Sequence, residues 1–157
     1  MFALNLTAMA LEICTEDRSY EGIAIQSYAQ FLAIAETIAG HSGIGLSLWD
    51  DADGFFKDLM VQPDGSVHRI DVFSWVGIIP LFACEVVDRR LLEAAPRFAV
   101  FLEGHRGGVL DGHSYCACPA RTNAYGDQML AVVDVAMLNR ILPRVFDEAE
   151  FLSPYGV

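Results

Sequence analysis

The stretch Met1 to Cys14 is apolar almost all the way round. Wound at 3.6 residues per turn, Phe2, Leu4, Leu6, Met9, Leu11 and Ile13 leave hardly any polar side. A helix of that kind is expected to be buried on several faces, so whatever the chain folds into must surround it. It starts without a capping residue. After the polar turn Thr15 to Ser19, with Ser19 as the expected N-cap, Tyr20 to Ala39 reads as an amphipathic helix. Ala24, Tyr28, Phe31, Leu32, Ala35 and Ile38 fall on one stripe, with Glu21, Gln26, Gln30 and Glu36 off it and Gly40 as the stop. The pair predicts an αα-hairpin, one member engulfed and the other half exposed.

The same alternation returns downstream. Trp75 to Val87 predicts a second engulfed helix, kinked at Pro80 or starting there. Asp88 to Glu103 follows as an amphipathic helix ending at Gly104. A last helix over Asp134 to Phe146 turns Val135, Leu138, Ile141, Leu142 and Val145 inward. Between them lie an irregular aromatic stretch, Gly43 to Asp58, and a β-hairpin over Leu59 to Val72 around Pro63-Asp64-Gly65. Arg106 to Gln128 reads as a Gly-rich loop with a short Tyr115 to Cys118 segment. The expected class is mainly α, alternating inner and outer helices with a small β-hairpin insertion.

Hydrophobic residues make up 54% of the 157, more than a domain of that size can bury in one core. Residues 1–157 are therefore expected to form a single partial domain whose neighbours cover the excess, with both ends reading as cut. A net charge of −11 with ten basic residues and no basic run argues against nucleic acid. The longest apolar stretch, Val72 to Cys84, is broken by Ser74, Gly77 and Pro80 and falls short of the roughly 20 residues a bilayer requires. The N-terminus lacks a basic lead-in and carries Glu12, so no membrane association is expected. Four scattered cysteines, Cys14, Cys84, Cys116 and Cys118, suit reduced thiols in a cytoplasmic protein.

Four ordered segments carry a family resemblance: Leu48 to Asp58 (LWDDADGFFKD), Pro63 to Gly65 (PDG), Trp75 to Ala83 (WVGIIPLFA) and Glu150 to Gly156 (EFLSPYG). Together they are similar to bacterial glycoside hydrolases of family 63 type, the mannosyl-oligosaccharide glucosidase-like and mannosylglycerate hydrolase-like enzymes. There LWDEEDGFFYD, PDG, SMVGLIPLFA and EFLSPYGI are expected in the same order, and Phe2 to Leu6 resembles the helix before that block. Lys57 stands where the family usually has Tyr, Trp75 where it usually has Met, and Arg106 to Gln128 match poorly. The resemblance implies an (α/α)6 barrel of which this chain is an interior segment, with the remainder of the barrel as its partner. It implies inverting hydrolysis of α-glucosidic or related bonds, a carbohydrate substrate and no cofactor. Such hydrolysis needs an acid and a base carboxyl roughly 6.5–9.5 Å apart. The family's upstream Asp acid and downstream Glu base are both expected outside this chain.

The segment around Trp49 is the best candidate for sugar contact. An indole face stacks on a pyranose ring, and carboxylates accept its hydroxyl hydrogen bonds. The candidate substrate-binding residues are Trp49, Asp50, Asp53, Phe55, Phe56, Asp58 and Tyr155; the plainer alternative is an Asp-rich turn with aromatic core anchors. A calcium loop fails, because Gly54 at its sixth position puts Trp49 first and Met60 twelfth. His113, Cys116 and Cys118 with His105 make an incomplete zinc set, and no metal is expected. His41 and His68 stand alone without a nucleophile. Gly107-Gly108 lacks the context of a phosphate loop. Glu150 to Gly156 reads either as the barrel mouth or as a Ser-Pro and Tyr-Gly turn. The alternative function is a stand-alone helical interaction module, an inactive remnant of the barrel.

Overall fold

In a computed structural model, residues 1–39, 47–105, 109–110, 113–114 and 122–157 are described. Helices α1 (Phe2–Cys14) and α2 (Glu21–Ala39) form the expected helical hairpin. The joint between them is a 3-10 turn, Arg18–Tyr20. It is capped by Asp17, which accepts from the Ser19 N–H at 2.9 Å, so Asp17 and not Ser19 is the capping residue. On α2 the apolar stripe packs as its period requires: Ala24, Tyr28, Phe31 and Ala35 are buried, with Leu32 and Ile38 against them. The Tyr28 ring meets Phe98 edge-on at 5.6 Å and stacks on Phe31 at 5.8 Å. Its burial pushes the phenol's pKa up.

Two expectations fail in this half. Helix α1 is not engulfed: Leu4 and Leu11 are buried, but Phe2, Leu6, Met9 and Ile13 are exposed. Glu21, expected on the outer face, is buried. Its reason lies across the interface. Helix α4 (Pro96–Gly104) starts at Ala95, which has no capping side chain, and Glu21 supplies the missing acceptor to the N–H groups of Arg97 and Phe98, the latter at 3.1 Å.

The second half departs further. Trp75 to Val87 is not a helix but a 3-10 segment, Trp75–Phe82, running into strand β5 (Cys84–Val87). Pro80 removes a backbone donor, and the β-branched pair Val86-Val87 favours an extended chain. β5 pairs antiparallel with β8 (Gln128–Ala131), placing Val87 opposite Gln128 and Cys84 opposite Ala131. The expected helix over Asp88 to Glu103 is two: α3 (Arg89–Ala94), capped by Asp88 on the Leu91 N–H at 2.9 Å, and α4. The residue before Pro96 is pushed out of the helical region, to φ −121° at Ala95.

Three further antiparallel ribbons are described. β1 (Trp49–Asp50) pairs with β2 (Phe55–Phe56), and β3 (Leu59–Val61) with β4 (Val67–Arg69), the predicted hairpin, in which Gly65 takes φ 83°. β6 (Val109–Leu110) pairs with β7 (His113–Ser114). The four two-stranded ribbons among the described residues make the fold mixed α/β and correct the mainly α expectation. The (α/α)6 barrel is corrected as well. Among the described residues there are five α-helices, from 6 to 19 residues long, where such a barrel needs twelve.

Two clusters of buried side chains result. The larger joins α1, α2, α3, α4 and the β5–β8 ribbon. The smaller gathers Trp49, Phe55, Phe56 and Ile78 with Ile141 and Val145 of α5 (Val135–Val145). Val135, expected inward, is exposed. Gly77 permits the 3-10 segment to lie directly on the Phe55 ring and the Phe56 carbonyl, since any Cβ there would collide with both. No helix among the described residues is long and apolar enough to cross a membrane.

Removing the Glu21 cap leaves the buried Phe98 N–H and the part-buried Arg97 N–H without that acceptor. Glu21→Ala is predicted to lower stability by about 2–4 kcal/mol, and Glu21→Gln, which keeps an acceptor oxygen, by clearly less. Urea unfolding at neutral pH checks this; equal losses for both variants would remove the cap from the account.

Candidate functional site

The loop from Leu48 to Asp58 turns back on itself through the β1–β2 ribbon, with Gly54 at φ 64° closing it. The Asp50 carboxylate accepts from the Ala52 N–H at 2.9 Å and the Asp53 N–H at 3.3 Å, an Asx-type turn that fixes which way the acids point. Lys57 leaves β2 with its side chain inward, and the residue is 4% exposed. Its ammonium is bonded to Asp53 and to Asp71 and lies 3.4 Å from Asp50. Three carboxylates thus meet the three N–H donors of one lysine.

Two arginines extend the cluster. Arg69 of β4 reaches Asp50 at 2.8 Å and the Ser47 carbonyl at 3.0 Å. Arg144 of α5 donates to the Asp53 carbonyl at 3.2 Å and pairs with Glu150 at 2.8 and 3.0 Å. One turn earlier, Arg140 donates to the carbonyls of Asp51 and Ala52 and lies 5.6 Å from the Trp49 ring centroid. Two cations lie over the Phe73 ring, Arg144 at 4.2 Å and Lys57 at 5.1 Å from its centroid. Behind these charges runs a chain of rings. Phe73 meets Phe55 at 5.3 Å, Phe55 stacks on Phe151 at 5.6 Å, and Phe151 meets Trp75 at 6.1 Å.

Asp50, Asp53 and Asp71 offer oxygens within 4.8 Å of one another, a spacing that would suit a divalent cation. The Lys57 ammonium already stands among them, so the donor set fits an ammonium rather than a metal.

The candidate residues divide into three groups. Asp50 and Asp53 sit in the charge cluster. Trp49, Phe55 and Phe56 are buried beneath it; the Trp49 indole donates to Asp51 at 2.7 Å, and its ring meets Phe56 at 5.0 Å. Asp58 and Tyr155 lie apart. Asp58 is exposed and its carbonyl accepts from Ile70 at 2.9 Å, while Tyr155 is fully exposed in the turn closed by Ser153 and Gly156. Glu150 to Gly156 is therefore a turn at its far end, while Glu150 and Phe151 join the cluster.

The sequence reading missed Lys57, Arg69, Asp71, Phe73, Trp75, Arg140 and Arg144. A lysine inside an aromatic run, four residues after Asp53, was the available signal, as was the four-residue spacing of the two arginines on one helix face. His68 is exposed on β4. The His105 ring lies tilted against Phe101 at 4.1 Å, and its Nδ1 is 2.7 Å from the Phe101 carbonyl. His41, Cys116 and Cys118 lie outside the described residues, and with them the zinc reading. Of the other thiols, Cys84 is exposed and free, and Cys14 is buried and free.

Arg69 above all, with the N–H groups of Asp53 and Ala52 and with Lys57, holds the Asp50 carboxyl down to about 2, against a desolvation that pushes it up. A folded-state pKa below the ordinary 3.8 means a contribution present at neutral pH and lost as the pH falls from 3.8 toward 2. The melting temperature is predicted to fall across that window, and Asp50→Asn to start lower and lose less of it. Thermal melts at stepped pH test this; identical acid dependence in the two proteins would contradict it.

No family profile and no solved structure matches the chain. Among curated proteins it is similar to a Saccharomyces cerevisiae protein described as "Uncharacterized protein YMR196W", 27% identical over 170 residues. That similarity covers 99% of this chain and 15% of the yeast protein, so the chain spans about one seventh of the length of the relative it matches.

Proposed function

We propose that this chain forms part of the substrate-facing wall of a glycosidase of family 63 type, acting on α-glucosidic or related bonds in the cytoplasm without a cofactor. The likeness of its four ordered segments to those enzymes supports the reading. One structural observation carries it further: Trp75, 53% exposed, stands at the open end of the ring chain that leads to Phe73 and the carboxylate cluster. An accessible indole face with carboxylate acceptors nearby is the combination a pyranose needs. Because Trp49 is buried, Trp75 takes the stacking role first given to Trp49. Asp53 and the largely exposed Asp71 supply acceptors.

The hydrolytic pair lies elsewhere in this proposal. A general acid must hold its proton at working pH, which calls for a raised pKa, whereas Asp50 is held near 2 and Asp53 and Asp71 bond a lysine. These acids bind and orient. By itself the chain is inactive.

A second reading, an interaction module without chemistry, is favoured by the exposed apolar side chains Val76, Ile79 and Phe82. Titrating the ¹⁵N-labelled protein with maltose separates the two. The sugar reading predicts a saturable shift of the Trp75 indole N–H with a dissociation constant in the millimolar range, little movement of the Trp49 indole, and weakening in Asp71→Asn. A Trp75 signal that stays in place at saturating sugar overturns it and leaves the interaction module.

A further inference from the structure

Helix α1 carries two apolar faces. One packs into the larger cluster; the other, Phe2, Leu6, Met9 and Ile13, repeats at intervals of four, three and four residues and faces outward, with Phe2 84% and Met9 54% exposed. The stripe continues onto the β5–β8 ribbon, where the register partners Val86 and Met129 are both exposed. Between helix and ribbon runs a groove floored by Met9, Ile13, Val86 and Leu91. Its rim is acidic: Glu12, Glu85 and Asp88. Arg90 answers part of this charge, reaching both Glu12 oxygens at 3.1 Å and Asp88 at 3.6 Å, and leaves the rim net negative. Glu16 and Asp17 add to the negative charge where α1 ends.

We propose that this groove docks an amphipathic protein helix with an apolar stripe of Leu, Ile or Met and Lys or Arg along its flanks. The stripe matches helix-in-groove recognition, in which anchors recur every three or four residues. Charge selects the occupant. A second copy of this chain would bring one acidic rim against another at a net charge of −11 each, and like charges facing each other disfavour that pairing. A relative with 85% of its length beyond the matched stretch, the complement of the 15% matched, shows that a chain of this kind occurs within a much larger protein body. The inference does not rest on the sugar reading, since the groove and Trp75 use different residues.

The test uses two labelled synthetic helices of about 18 residues, identical in their Leu stripe, one flanked by Lys and the other by Glu. Fluorescence anisotropy is expected to show the Lys-flanked helix binding at least about tenfold more tightly, with the difference shrinking as salt is raised. Met9→Asp and, independently, Ile13→Glu should weaken it by about tenfold or more, with unfolding midpoints close to the parent's. Equal binding of the two helices, no binding of either, or indifference to both substitutions overturns the proposal. So does sedimentation showing that the protein already pairs with itself through this face.

Discussion

The Lys57 ammonium ties together, above a small cluster of buried rings, the half of the protein whose backbone is least regular. The region from Leu48 to Phe82 contains no α-helix, only short ribbons and a 3-10 segment. Ribbons of two or three residues have too few hydrogen bonds to stand alone. Lys57 ties the β1–β2 turn, through Asp50 and Asp53, to the segment after β4, through Asp71. Arg69 adds a second link between β4 and the same turn, and Arg144 joins the turn to α5. A lysine so buried must keep its charge partnered, because desolvation of an unpaired ammonium costs more than the packing returns. Its partners raise its pKa, Asp53 most and then Asp71, so the ammonium keeps its charge across the whole neutral range.

Among the described residues the two clusters meet at the end of α2. Ile38 packs against both, and the Leu48 N–H bonds its carbonyl at 3.1 Å, so the end of α2 is where the helical half hands over to the irregular half. The helical half is built from periodic apolar stripes and the irregular half from charges laid over rings. This division explains why apolar side chains remain on the surface. Helix α1 is covered on one face only, and Trp75, Val76, Ile79 and Phe82 are open on the 3-10 segment, so both halves carry exposed apolar side chains.

Legibility in the sequence followed the same division. Helix α2 and its buried stripe were readable because one face repeats at 3.6 residues over five turns. The Pro-Asp-Gly hairpin was readable because its turn chemistry is local. The β5–β8 ribbon was not, since its partners are some forty residues apart and Val86-Val87 continue an apolar run that a helix would also show. Pro80 was read as the kink or the start of a helix, whereas it lies inside a 3-10 segment that ends at Phe82 and gives way to a strand. Glu21 was assigned to the outside because its partners, two N–H groups of α4, belong to a distant element. The candidate site was half legible. Asp50 and Asp53 stood out through local density, whereas Asp71, Arg69 and Arg144 reach them only through the fold. Lys57 was visible, but as a departure from a resembling pattern and not as the centre of a cluster.

The central claim is that the Lys57 cage organises the irregular half, and urea unfolding of Lys57→Met tests it most directly. Arg89→Ala serves as the control, because it removes an exposed pair with Glu93 at 2.7 Å, of a kind worth only about 0.3–0.5 kcal/mol. The account predicts that Lys57→Met lowers the unfolding midpoint several times further than the control does, with the Trp49 and Trp75 signals lost before the helical signal. A Lys57→Met midpoint no lower than that of Arg89→Ala, with both tryptophans still ordered, would contradict it.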